Sequence, residues 1–126
     1  CTNQGLMVTA ATIYMTLLGA EGLERVAAAS IDNTARLAAR LGEVDGVETV
    51  FAGPHFHETV LRLDRPVAPV LEALAERGII GGYDLSADFP ELGHALLICA
   101  TETKLDQDID AYARALGEVM REAQVA

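Results

Sequence analysis

The sequence is poor in aromatic rings, cysteines and positive charge. It has no tryptophan, only two cysteines, and nine lysines and arginines against 19 aspartates and glutamates. A net charge of −10 repels the phosphates of nucleic acids and anionic lipids, so we expect neither nucleic acid nor a membrane as partner. Two cysteines in 126 residues do not build a disulfide framework, so we expect a cytoplasmic protein.

Lysine is almost absent. Lys104 is the only one, and the acidic residues Asp106, Asp108 and Asp110 follow it closely. A lysine that forms a Schiff base needs burial or neighbouring cations to become nucleophilic. Because the neighbours of Lys104 carry the wrong sign, we expect no catalytic residue in this chain.

A strongly apolar segment lies near the start of the chain. It runs from Leu6 to Leu18, and only Thr9, Thr12 and Thr16 interrupt it, at spacings that place them on one stripe of a helix. A helix that is apolar nearly all round is buried in something larger. The run is too short to cross a bilayer, which takes about 20 residues.

The sequence begins at Cys1 without an initiator methionine. We therefore expect a single domain over residues 1–126 that is cut from a longer chain. Within it we expect an apolar interface helix over residues 1–18 and an α+β core over residues 21–126.

The remaining segments predict an α+β fold. Apolar residues at helical spacing predict three further helices, and short β-type runs bounded by glycine and proline predict three strands. The helices are expected over Gly22–Leu41, from Pro66 to Gly78 and from about Asp106, and the strands over Val47–Phe51, Phe56–Leu63 and Ala95–Ala100. We expect a small antiparallel sheet of about three strands with helices on one face, the first two strands paired and the third central. In the second helix, Ile31, Thr34, Leu37 and Leu41 belong to the predicted inner stripe.

Three histidines and a cysteine are candidate metal ligands. His55 and His57 are two residues apart, as on one face of a strand, and His94 and Cys99 are of suitable type. The set is incomplete, and the Cys-x-x-Cys and His-Glu-x-x-His patterns are missing, so we expect no metal site. Cys99 stands in an apolar strand run and is expected to be a buried core cysteine.

The polar segment Cys1–Gln4 directly precedes the apolar helix. Its hydroxyl, amide and backbone N–H groups suit an anion at a helix start. Simple capping of the helix by Thr2 or Asn3 explains the same pattern, and capping is the commoner arrangement.

Several short motifs follow one another in a family-specific order. They are Cys1-Thr2-Asn3-Gln4, Leu17–Leu23, Gly53–Glu58, Gly78–Leu85, Leu97–Glu102 and Asp108–Asp110. Together they resemble the C-terminal part of the glycine-cleavage P-protein family, in particular subunit 1 of the two-subunit bacterial glycine dehydrogenase (decarboxylating). The combination covers essentially the whole chain.

The resemblance implies the small C-terminal domain of an aminotransferase-like (fold type I) pyridoxal-phosphate enzyme. In that family the complex is an oxidoreductase that decarboxylates glycine and passes the aminomethyl group to the lipoyl H-protein. The implied partners are glycine dehydrogenase subunit 2, which carries the cofactor lysine, the H-protein, and an upstream domain of the same chain. By itself this chain is expected to bind no pyridoxal phosphate and to be inactive.

The resemblance also suggests where this chain approaches the cofactor. Thr2 and Asn3 would lie in an interface loop near the phosphate of the cofactor held by the partner subunit. Cys1 and Gln4 are the next candidates. Related aminotransferases carry a substrate-binding arginine on the strand that corresponds to residues 95–100, where this chain has Leu97, Ile98 and Cys99. An amino-acid site within this domain is therefore not expected.

Two other interpretations remain open at this point. The chain is also compatible with the C-terminal domain of another pyridoxal-phosphate enzyme, such as an aminotransferase or a cysteine desulfurase. It is compatible, too, with a free-standing α+β dimerisation or ligand-binding module, in which the first helix packs on a copy of itself.

Overall fold

The computed structural model describes residues 4–122, which form three α-helices and a four-stranded sheet. The elements are α1 (Gly5–Gly42), β1 (Val47–Thr49), β2 (Glu58–Leu63), α2 (Val67–Glu76), β3 (Tyr83–Asp84), a short 3-10 helix (Pro90–Leu92), β4 (Ala95–Cys99) and α3 (Asp106–Glu122). The predicted α+β class is confirmed.

The sheet is antiparallel throughout, in the order β1-β2-β4-β3. The predicted pairing of the first two strands is confirmed, and the continuous apolar run of β4 lies between β2 and β3. The sheet has one strand more than expected because Tyr83 and Asp84 add a short edge strand against β4. This segment is too short for its alternation to be recognised in the sequence.

The helices cover one face of the sheet, as predicted. Leu61 and Leu63 of β2 and Leu96 and Ile98 of β4 belong to a single core cluster with α1, α2 and α3. Side chains alternate across a strand, so Val60 and Ala95 point to the other face, where they form a smaller cluster with Leu85. The opposite face thus has only a thin apolar cover.

Helix α1 joins the first two predicted helices into one segment with a sharp bend at Gly19. This residue has φ 64° and ψ −176°, a conformation that is essentially restricted to glycine. We call residues 5–18 the arm and residues 20–42 the anchor. The bend sets the direction in which the arm leaves the domain.

The predicted inner stripe of the anchor is wrong at one position. Ile31 is 45% exposed, whereas the polar residues Ser30 and Asn33 are buried beside Thr34, Leu37 and Leu41. Polar side chains are tolerated inside when they are hydrogen-bonded, and hydropathy alone does not reveal such partners.

Candidate subunit interface

The arm exposes almost all of its apolar surface. Every residue from Gln4 to Leu17 is exposed, and Leu6 and Leu17 reach 83% and 80%. Other large exposed side chains on it are Met7, Val8, Ile13, Tyr14 and Met15. A contiguous apolar surface of this kind marks an interaction site on a soluble domain.

The threonines of the arm are satisfied within the helix. Thr9, Thr12 and Thr16 donate their hydroxyl hydrogens to the backbone oxygens of Gly5, Val8 and Thr12, four residues earlier, at 2.9, 2.8 and 2.7 Å. Such back-bonding leaves the hydroxyls without need of a further partner. The predicted polar stripe therefore behaves as small, nearly apolar surface that is ready for burial.

The anchor holds the arm to the domain through buried polar contacts with residues 100–104. Thr34 Oγ1 donates to the Ala100 oxygen at 2.9 Å, and the Asn33 amide donates to the oxygens of both Thr101 and Lys104 at 2.9 Å. The Ser30 hydroxyl oxygen accepts the backbone N–H of Glu102 at 3.2 Å. These bonds tie the loop after the central strand to the helix that carries the arm.

The arm suits a protein partner better than a lipid bilayer. By length and composition alone, the 38-residue α1 is long and apolar enough to cross a membrane. However, the bend at Gly19 ends the straight apolar part, which is about 20 Å long at 1.5 Å per residue. A bilayer core is about 30 Å thick, and Glu21, Glu24 and Arg25 follow the bend directly.

Comparison with known proteins identifies the family. The model of the glycine cleavage system P-protein family matches residues 1–116. The chain belongs to this family. The match covers the arm and all of the core except the last residues of α3.

Individual relatives agree with the family match. The chain is 62% identical over 120 residues to a probable glycine dehydrogenase (decarboxylating) subunit 1 of Methylococcus capsulatus, covering 95% of the chain and 26% of the relative. It is 55% identical over 119 residues to the Coxiella burnetii protein of the same name, covering 94% and 27%. The chain therefore spans about a quarter of the length of these curated P-protein relatives.

A solved P-protein has the same fold. The crystal structure of a glycine decarboxylase (P-protein) of the glycine cleavage system, in an inhibitor-bound form, superimposes with a TM-score of 0.78 at 36% identity. The match covers 85% of this chain and 24% of that chain.

The P-protein residues that we singled out for the cofactor phosphate lie at the very start of the chain. Cys1, Thr2 and Asn3 lie outside the described residues, so the roles of Thr2 and Asn3 stay predictions. Gln4 occupies the N-cap position of α1, and its backbone oxygen accepts the Val8 N–H at 2.9 Å. Its side chain makes no capping hydrogen bond.

The predicted burial of Cys99 is wrong. Cys99 ends β4 on the face away from the helices and is exposed, whereas its neighbours Ile98 and Ala100 are buried. Partial desolvation and the nearby Glu58 carboxylate raise the pKa of its thiol, so it is not an activated nucleophile. Strand alternation explains the error, because an apolar run alone does not show which face each residue takes.

The candidate metal ligands are also grouped differently from the prediction. His57 approaches Glu58 and Cys99, whereas the cluster includes neither His55 nor His94. Glu58 escaped notice because only the register of β2 against β4 places it opposite Cys99.

Proposed function

We propose that this chain is the C-terminal small domain of subunit 1 of a glycine dehydrogenase (decarboxylating). Its arm packs against glycine dehydrogenase subunit 2 and the upstream part of its own chain. The observation that carries this proposal is the arm itself, a nearly all-apolar helix whose hydroxyls are already satisfied but whose side chains are exposed. Burial of this surface supplies the association energy.

The assembled enzyme decarboxylates glycine in the cytoplasm and passes the aminomethyl group to the lipoyl H-protein. Pyridoxal phosphate, which we assign to subunit 2, would supply the electron sink that this decarboxylation requires. This domain makes no bond to the substrate. It holds the arm, and with it the segment from Cys1 to Gln4, at a fixed place beside the partner.

The described residues do not fit a pyridoxal-phosphate site of their own. Lys104, the only lysine, is exposed and lines an open groove together with Glu58 and Asp108. Two carboxylates against one ammonium make this groove unfavourable for a phosphate, and its lining contains no arginine among residues 4–122. This supports our assignment of the cofactor to another part of the enzyme.

Thr2 and Asn3 are the residues that we propose to reach the partner's cofactor phosphate. A hydroxyl and an amide offer neutral hydrogen-bond donors, and the start of α1 adds the positive end of a helix dipole. Thr2→Val and Asn3→Leu in the full-length subunit should weaken cofactor retention by the assembled enzyme. Circular dichroism of the purified subunit separates this loss from misfolding.

The interface proposal is tested with full-length subunit 1, co-expressed with subunit 2. Leu17→Glu places a charge on the exposed arm and should reduce both co-purification and glycine-dependent CO2 release by more than about tenfold, since a buried unpaired charge is costly. Ala35→Glu, at an exposed position of the anchor, is the matched control and should assemble normally. Normal assembly of Leu17→Glu would refute the arm as interface.

The isolated 126-residue chain tests whether cofactor binding and activity depend on subunit 2. Titration with pyridoxal phosphate should give no saturable change in cofactor absorbance, and the chain should release no CO2 from glycine. A saturable absorbance band would overturn the assignment of the cofactor to subunit 2. A stable dimer in sedimentation, abolished by Leu17→Glu, would favour instead the dimerisation-module interpretation.

A further inference from the structure

Three side chains of types that bind metal ions converge at one end of the sheet. The ligand atoms of His57, Glu58 and Cys99 all lie within 4.8 Å of one another. We propose that these three residues bind one zinc ion. The proposal is independent of the function assigned to the arm.

The backbone brings the three side chains together. Glu58, the first residue of β2, pairs directly with Cys99, the last residue of β4. Both lie on the face away from the helices, because each is two residues from a member of the smaller apolar cluster on the same strand, Val60 on β2 and Leu97 on β4. Residues directly opposite in an antiparallel pair have their Cβ atoms about 5 Å apart.

His57 joins the pair because it precedes the strand. Neighbours within a strand point to opposite faces, but His57 lies in a bend immediately before β2, which lets it share the side of Glu58. Its backbone oxygen accepts the Ala100 N–H at 3.0 Å. Phe56 packs edge-on against its ring, with 4.7 Å between the ring centroids. A backbone hydrogen bond and a ring contact thus hold the His57 ligand in place.

The chemistry of the set selects the metal. A thiolate, an imidazole and a carboxylate are all zinc ligands, at about 2.3, 2.0 and 2.1 Å from the ion. Calcium and magnesium prefer oxygen ligands throughout and do not favour a thiolate. The ligand atoms of a tetrahedral zinc lie about 3–4 Å apart, so small rotations of the exposed Glu58 and Cys99 side chains complete the geometry.

The fourth coordination position of the zinc ion faces the open groove described above. This groove has a volume of about 640 Å³, and Glu58 and Cys99 help to line it. We assign this position to water, which gives three protein ligands and one open site. Lys104 lines the same groove, and its positive charge repels the ion. Zinc binding clamps the loop before β2 to the end of β4 and stabilises the folded state by mass action.

Cobalt(II) binding to the 126-residue chain tests the proposal. In a Cys1→Ser background, Cys99 is the only thiol, and we expect a saturable thiolate-to-cobalt charge-transfer band at one equivalent that zinc displaces. Cys99→Ser should abolish the band, and His57→Ala should weaken zinc binding by at least the roughly 10–100-fold that follows loss of an outer-shell partner. Zinc should raise the unfolding midpoint of the Cys1→Ser chain but not that of Cys99→Ser.

Two further variants sharpen the result. His94→Ala removes an exposed histidine outside the cluster and should bind zinc unchanged, whereas Lys104→Gln should bind zinc more tightly. Absence of a saturable band in the Cys1→Ser chain would overturn the proposal. Equal zinc affinity in His57→Ala, or a loss in His94→Ala, would overturn this ligand set.

Discussion

The arm and the anchor belong to one helix, yet they satisfy their polar groups in opposite ways. In the arm, each threonine hydroxyl bonds to a backbone oxygen four residues earlier, and the apolar side chains remain exposed. In the anchor, Asn33 and Thr34 bond to a loop that lies 66 to 71 positions further along the chain, and Leu37 and Leu41 enter the core. The anchor is thus committed to its own domain, whereas the arm is free to bind another surface.

Replacing a leucine by alanine should show the largest difference in stability between the arm and the anchor. Leu41 is fully buried in the core, so Leu41→Ala should lower the free energy of unfolding by about 2–5 kcal/mol. Leu17 is 80% exposed, and Leu17→Ala should change it by less than about 0.5 kcal/mol. Urea denaturation of the isolated chain measures both. Equal losses would mean that the arm packs on its own domain.

A smaller difference is expected for the hydroxyl groups. Thr34→Val leaves the buried Ala100 oxygen without its donor and should cost about 1–3 kcal/mol of unfolding free energy. Thr12→Val is the matched control, since its hydroxyl only back-bonds within an exposed helix, and it should be nearly neutral. The same urea experiment distinguishes the two variants. A comparable loss of stability for Thr12→Val would contradict the view that the arm's hydroxyls need no partner outside their own helix.

The ion pairs between the anchor and α3 should contribute less than the Thr34 hydroxyl. Arg36 pairs with Asp106 and Arg40 with Asp110, and both pairs are solvent-exposed. The carboxylates raise the pKa of both arginines, which stay charged at all working pH values. Arg36→Gln should lower the unfolding midpoint slightly at low salt and not at all in high salt, because salt screens exposed charges. A salt-independent loss would show a role in packing instead.

The smallest effect on stability is expected at the bend, where the effect on assembly is large. In the isolated chain, Gly19→Ala lets the helix straighten, because alanine disfavours φ 64° and the arm has no core contacts to lose. Far-UV circular dichroism should show equal or higher helicity with unchanged stability. In the full-length subunit, the misdirected arm should reduce association with subunit 2. Unimpaired association would show that the bend is dispensable.

Much of the fold follows from sequence pattern because it depends on local periodicity. The helical spacing of Val67, Val70 and Leu74 predicts the inner face of α2. Gly78, the predicted end of the helix, lies in the turn that follows it, with its N–H bonded to the Ala75 oxygen. The start of α3 is also recognisable, although the cap comes from Asp108, which accepts the Leu105 N–H, while Asp106 pairs with Arg36.

The errors arise where contacts are distant in sequence. Ser30 and Asn33 are buried because the loop at 100–104 offers them hydrogen-bond partners. Cys99 is exposed because it lies on the face of β4 that points away from the helices. Neither fact is encoded in the residues nearby.

The sequence by itself determined the apolar arm, the elements with strong periodicity, the lack of a usable lysine and the P-protein resemblance. These depend on residue type and spacing, which are local properties. Only the tertiary structure decided that the threonines are self-satisfied, that the helix bends at Gly19, and that His57, Glu58 and Cys99 meet. Backbone dihedral angles and strand register decide these features, and register is set by packing between segments that are distant along the chain.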